Sequence, residues 1–167
     1  MYERILAPID GSETSQSAFE FALSIARENG AELTPLFVVE VPIAAYTTPG
    51  GDPKYVHEAL LKEGERLAGE ALAAMRRDGV RGTPRVVEVD TPGGSIPERI
   101  LEEAHAAHCD LVVMGTHGRR GVKRLMLGSV AERFMRMSCC PVLLIPGGAL
   151  AGATGTTSAH ETEKAST

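Results

Sequence analysis

The 167-residue chain carries 17 Lys or Arg against 22 Asp or Glu, for a net charge of −5, and 43% of it is hydrophobic. That size and apolar content suit one globular domain with a full core, and the acidic balance argues against a general nucleic-acid surface. No apolar run approaches the roughly 18 residues of a membrane span, and no secretory pattern precedes Ile5-Leu6-Ala7. The expectation is a cytoplasmic protein with neither a membrane nor a nucleic acid as partner.

Apolar periodicity alternates between strand and helix along the chain, the pattern of a parallel sheet covered on both faces. Ile5 to Ile9 reads as the first strand. Ala18, Phe21, Ala22, Ile25 and Ala26 mark the inner face of a helix that Asn29-Gly30 ends. Leu33 to Val41 is the second strand despite Pro35 near its start, and residues 42 to 53, rich in Pro and Gly, read as a long loop. A helix over about residues 54 to 78 follows, with Leu60, Leu67, Ala71, Leu72 and Met75 as its apolar stripe.

Arg85 to Val89 is the third strand, and Thr91-Pro-Gly-Gly is a turn. Ser95 and Glu98 have capping-box spacing ahead of Ile96, Ile100 and Ala104, which predicts another helix. Residues 109 to 114 read as a buried strand, Val130, Phe134 and Met137 as one helical face, and Pro141 to Ile145 as the last strand. From Gly147 to Thr167 the chain is nearly all Ala, Gly, Thr and Ser, so a folded domain over 1–146 with a disordered low-complexity tail over 147–167 is expected.

Cys109, Cys139 and Cys140 lack the spacing of a zinc site or of a C-x-x-C pair and read as reduced thiols, small buried hydrophobes rather than redox groups. The five histidines show no metal-ligand cluster.

The richest segment is Met114-Gly115-Thr116-His117-Gly118, followed nine residues later by Gly128-Ser129-Val130. It follows a strand and opens a helix, where a backbone without Cβ atoms can approach a polyphosphate and a helix N-terminus offers unpaired N–H donors. Ser129 and Glu132 have capping-box spacing, so Ser129 is the expected N-cap. Residues 115 to 136 hold six Lys or Arg against the one acid Glu132, a basic island that points to a local anionic ligand. The alternative is a set of plain loop turns with a solvated basic run.

Ligands in such folds bind outside the carboxyl ends of the strands, where strand order reverses. Asp10, just past the first strand in Pro8-Ile9-Asp10-Gly11-Ser12, is therefore either an acceptor for a ribose hydroxyl or an Asx cap for the helix beginning near Ser12. Val38 and Val39 are either an apolar wall for a base or plain core.

The chain resembles the universal stress protein family, in particular its ATP-binding branch. The signature G-x2-G-x9-G-[ST] is met by Gly115, Gly118, Gly128 and Ser129, and the family's start is matched by Ile5-Leu6-Ala7-Pro8-Ile9-Asp10-Gly11-Ser12. The resemblance implies a single-domain, Rossmann-like five-stranded parallel sheet of order 3-2-1-4-5 with helices on both faces. It implies nucleotide contacts at Pro8, Asp10 and Val38 around adenine and ribose. Met114, Gly115 and Gly118 would lie near the ribose and phosphates, and Gly128, Ser129 and Val130 at the phosphates. It also implies a homodimer formed by edge pairing of Val142 to Ile145.

Phosphoryl transfer needs a metal and an oriented nucleophile besides phosphate positioning. No G-x-x-x-x-G-K-[ST] loop and no acidic pair for two metals is present, so magnesium would rest on the phosphates, with the Ser129 hydroxyl as the one side chain to assist. His117 and Asp10 are the conceivable bases. The expected function is an ATP-occupied regulatory or stress-response module. A slow ATPase and a nucleotide-free interaction protein are the alternatives, and the absence of an S-G-G-x-D-S loop argues against an adenine-nucleotide α-hydrolase relative.

Overall fold

The computed structural model describes residues 1–89, 94–116 and 127–146. In chain order they form β1 (Arg4–Pro8), α1 (Glu13–Asn29), β2 (Glu32–Val39), α2 (Ala44–Thr47), α3 (Pro53–Arg77), β3 (Arg85–Glu88), α4 (Ile96–Ala106), β4 (Leu111–Gly115), α5 (Ser129–Met137) and β5 (Val142–Ile145). Of the expected turn over 91–94 all but Gly94, and the tail from Gly147 onward, fall outside the described residues.

The five strands make one parallel sheet of order β3-β2-β1-β4-β5, as expected. Strand alternation splits the core in two. Ile5, Ala7, Leu33, Phe37, Leu111 and Val113 pack against α1 and α3 on one face. Leu6, Leu36, Val112 and Met114 pack against Ile100 and Ala104 of α4 and Phe134 of α5 on the other. Each such Leu, Ile or Phe contributes about 1.5–3 kcal/mol by leaving water, which is why the sheet is closed by helices on both sides.

Three readings need correction. The inner face of α1 is Ser15, Ala18, Phe19, Ala22, Leu23 and Ala26, with Phe21 and Ile25 half-buried at its edge, because the helix is rotated toward β4. The expected loop over 42–53 contains the short helix α2, which ends where Gly51 folds back onto Ala45 and Thr48. Ser95 occupies the N-cap position of α4, but its hydroxyl caps nothing and its Oγ is buried without a partner among the described residues. Glu98 instead reaches across to Arg133 of α5 at 2.6 Å.

Pro35 lies within β2 because its missing N–H faces a break in the sheet. Leu33 N–H donates to Arg81 O at 2.9 Å, so the backbone groups of alternate residues 33, 35 and 37 point toward β3. The β2–β3 ladder begins only at Leu36↔Arg85. Gly82 fills the gap with φ +132, and a Cβ there would overlap the Leu33 carbonyl. Edge strand β3 is further tied down by Glu103, 4% exposed, whose carboxylate meets Arg85 at 2.6 Å and Arg99 at 3.0 Å.

Gly82→Ala, strained in both φ and contact, is expected to lower unfolding free energy by roughly 3 kcal/mol. Gly69→Ala, in open space within α3, should raise it by up to about 1 kcal/mol. Urea titrations of the two variants check the contrast.

Candidate functional site at the carboxyl edge of β1 and β4

β1 and β4 are hydrogen-bonded neighbours, so the segments leaving them lie side by side where strand order reverses. The first is a compact turn of hydroxyls around Asp10. The Asp10 carboxylate accepts from Ser12 N–H at 2.9 Å, and Asp10 N–H donates to Ser15 Oγ at 3.2 Å. The Ser15 hydroxyl donates to Ser12 O at 3.0 Å, while Ser12 Oγ caps α1 by accepting from Ser15 N–H at 3.2 Å. Gly11, with φ 80, supplies the left-handed residue this turn requires.

Asp10 thus has the Asx geometry of one expected reading, with one oxygen oriented by Ser12; Ser12 itself is the cap. Ser15, nearly fully buried, completes the turn and was not among the expected residues. The repeated Ser-x-x-Ser hydroxyls after Asp-Gly are the sequence signal that could have found it.

The second segment leaves β4 at Gly115. A Cβ there would stand 2.8 Å from Thr14 C, 2.9 Å from Thr14 O and 3.0 Å from Ser15 N. Gly115 is therefore required by the first turn of α1 pressing onto the end of β4, a packing reason for the glycine. Thr116 N–H continues the sheet by donating to Ile145 O at 3.0 Å, and Thr116 O accepts from Gly128 N–H at 2.7 Å. That last bond joins the two ends of the glycine segment. His117, Gly118 and the basic residues Arg119, Arg120, Lys123 and Arg124 between these ends lie outside the described residues.

Gly128, not Ser129, is the N-cap of α5, and no side chain among the described residues caps this helix. Glu132 N–H closes the first intrahelical bond on Gly128 O at 2.9 Å, which leaves the amides of Ser129, Val130 and Ala131 ahead of the ladder. Glu132 is too far along to reach back and instead pairs with Arg136 at 2.8 Å. The expected capping box is absent because the helix starts one residue early. Its N-terminus keeps its dipole and N–H donors uncovered by its own side chains.

Pro8 and Val38 stand half-buried at the ends of their strands, and Val39 is core. Met114, 4% exposed, has its side chain in the α4–α5 core, so what it offers the crevice is backbone. Val130 is half-buried on the same layer. Pro8, Asp10, Gly115, Gly128, Ser129 and Val130 are thus brought to one edge. Among the described residues, no three His, Cys, Asp or Glu converge as metal ligands. No helix among them is long and apolar enough to cross a membrane. A notch of about 80 Å³ between α1 and α3, floored by Ile9, Phe19 and Leu67 and bordered by Gly11 and Ser15 of the same turn, is too small for a nucleotide.

Comparison with known proteins places these features in context. The sequence profile of the universal stress protein family matches residues 1–146. A universal stress protein of Methanocaldococcus jannaschii is 34% identical over 145 residues, which cover 87% of this chain and 82% of that protein. Among solved structures, a universal stress protein family member from Burkholderia pseudomallei is 40% identical with a TM-score of 0.72, over 87% of this chain and 96% of that one. The universal stress protein of Archaeoglobus fulgidus, solved with dAMP, shares the fold at 20% identity and a TM-score of 0.62, over 86% of this chain and 98% of that one.

Gly115→Ala should lower stability by about 1–3 kcal/mol even with no ligand present, since the Cβ meets backbone that cannot give way cheaply. A thermal melt in nucleotide-free buffer reads this directly.

Proposed function

The chain belongs to the universal stress protein family, and from that premise we propose that it is a member of the ATP-binding branch, a regulatory module whose signal is nucleotide occupancy. The observation that carries the reading is the start of α5, a nine-residue helix with no side-chain cap, beside the Asp10 turn. Its first amides suit the phosphates, and the Asp10 carboxylate, oriented by Ser12, suits a ribose hydroxyl. Pro8 and Val38 would flank the adenine, with the Met114 and Gly115 backbone, and Gly118, toward the ribose and phosphates. The complex of the A. fulgidus relative with dAMP supports an adenine nucleotide as the ligand class.

Bound ATP supplies anionic charge at the helix start, and the chain's own residues do the holding. Gly128 spends its N–H on Thr116 O, so the donors are Ser129 and its successors. The Ser129 hydroxyl, which caps nothing, is the side chain placed to assist a phosphate-bound magnesium. Nothing in the Asp10 turn prepares a nucleophile, which favours retention of ATP over its hydrolysis.

Nucleotide binding in this reading reaches the outer edge of the sheet. Thr116 is bonded both to Gly128 and to Ile145 of β5, so a ligand at the start of α5 acts on the strand proposed to pair with a second copy. The bonds from Val112 to Pro141 O and from Thr116 to Ile145 O leave the N–H groups of Val142 and Leu144 facing outward. β5 is a short apolar edge of the kind that natural sheets cover.

Two measurements test the proposal. Protein purified without added nucleotide and then denatured should release ATP, identified by mass spectrometry. ADP alone would favour a slow ATPase, and no nucleotide together with no calorimetric binding would overturn the assignment. Gly118→Val combined with Gly128→Val should weaken ATP binding at least about 100-fold, roughly 2.7 kcal/mol, with an unchanged far-ultraviolet circular dichroism spectrum. For the assembly, Leu144→Pro removes an outward N–H while sparing the β4 ladder, and light scattering should find a dimer converted to monomer.

A further inference from the structure

Three residues past the end of β1 close a ring of hydrogen bonds. Asp10 N–H donates to Ser15 Oγ at 3.2 Å, the Ser15 hydroxyl donates to Ser12 O at 3.0 Å, and Ser12 N–H donates to the Asp10 carboxylate at 2.9 Å. A hydroxyl has one proton to give and lone pairs to receive. The Ser15 proton goes to Ser12 O and a lone pair takes Asp10 N–H, so its rotor is fixed from both sides. The ring is also tied to α1, because Ser12 O accepts from Gln16 N–H at 3.0 Å and Ser12 Oγ accepts from Ser15 N–H at 3.2 Å.

Ser15 meets the other half of the crevice as well. It is 6% exposed, and its backbone nitrogen stands 3.0 Å from the point a Gly115 Cβ would occupy. One residue thus rests on the end of β4 through its backbone and holds Asp10 through its side chain. Removing the hydroxyl opens two of the three links at once: Asp10 N–H loses this partner, and Ser12 O loses one of its donors. The cap bond from Ser15 N–H to Ser12 Oγ needs no side chain at 15, so the start of α1 outlasts the loss while Asp10 is released.

We propose that Ser15 is the positioning residue of the candidate nucleotide site, setting the Asp10 carboxylate at a fixed distance from the end of β4. The role rests on the reading of this edge as a nucleotide site. Ser15 does not touch the ligand: its hydroxyl is spent within the ring, and it acts through Asp10. A carboxylate aligned before the nucleotide arrives binds it more tightly, because less ordering is left to the binding step.

The test is a double-mutant cycle read by calorimetric titration with ATP, using the full chain in its natural form, with Ser15→Ala, with Asp10→Ala and with both. Ser15→Ala should weaken ATP binding about tenfold, the effect expected of misplacing one hydrogen bond to a charged group. In the Asp10→Ala background the same change should cost less than about twofold, since the group it positions is gone. A merely loosened helix would weaken ATP alike in both backgrounds. Should Ser15→Ala fail to fold by circular dichroism, Ser15→Cys, close in shape but a weak hydrogen-bonding group, carries the same cycle. Natural affinity in the Ser15 variant, or an equal loss in both backgrounds, would overturn the role of Ser15 and leave the nucleotide reading standing. A natural chain that binds no ATP would overturn that reading, and this role with it.

Discussion

The close approach of the first turn of α1 to the end of β4 is the contact on which the candidate site depends. With no Cβ on Gly115, the backbone of Thr14 and Ser15 settles directly over β4. This presses the Asp10 turn, with its Ser12 and Ser15 bonds, against the strand that launches the glycine segment. A side chain at 115 would lift α1 away, and the two halves of the crevice would no longer share an edge. The glycine that looks from its motif like a phosphate residue is first a packing residue.

Around that contact the structure distributes its polar groups economically. Ser12 takes the α1 cap, Ser15 locks the turn behind it, and Thr116 serves both β5 and Gly128. Capping is left incomplete at α5, where Gly128 can close the backbone but has no side chain to cover the N–H groups. An uncapped helix start in an otherwise well-satisfied edge is the feature that asks for an anion. Far from that edge, the buried Glu103 with Arg85 and Arg99 does the separate task of fastening the short edge strand β3 to α4. Desolvation offsets much of the gain in such a cluster, so its role is to fix the register of β3 rather than to add much stability.

The same sheet couples its two ends. β4 ends at Gly115, just before Thr116, and begins two residues after Cys109, and β5 pairs with it from Val112 to Gly115. The two ends of the glycine segment and the outer edge of β5 are therefore joined to one pair of strands.

Much of this was legible in the chain. Continuous apolar runs over Ile5 to Ile9 and 109 to 114, alternating with helical stripes, determined a doubly covered parallel sheet, because only burial on both faces tolerates strands so continuously apolar. The glycine spacing and the Asp10 turn pointed to the carboxyl edge of β1 and β4, because turn and close-approach residues are dictated by local backbone geometry. What the chain alone could not decide were choices between near-equal local options. Ser129 and Gly128 can each cap a helix, Glu98 and Glu132 can each reach back or out to an arginine, and Phe21 and Phe19 can each face the core. Tertiary packing settled them: α1 is rotated by its seat on Gly115, and α5 begins where Gly128 meets Thr116. Glu98 finds its arginine on the neighbouring helix. Propensity differences at such positions are a fraction of a kcal/mol, whereas the burial and contacts that choose between them are worth several.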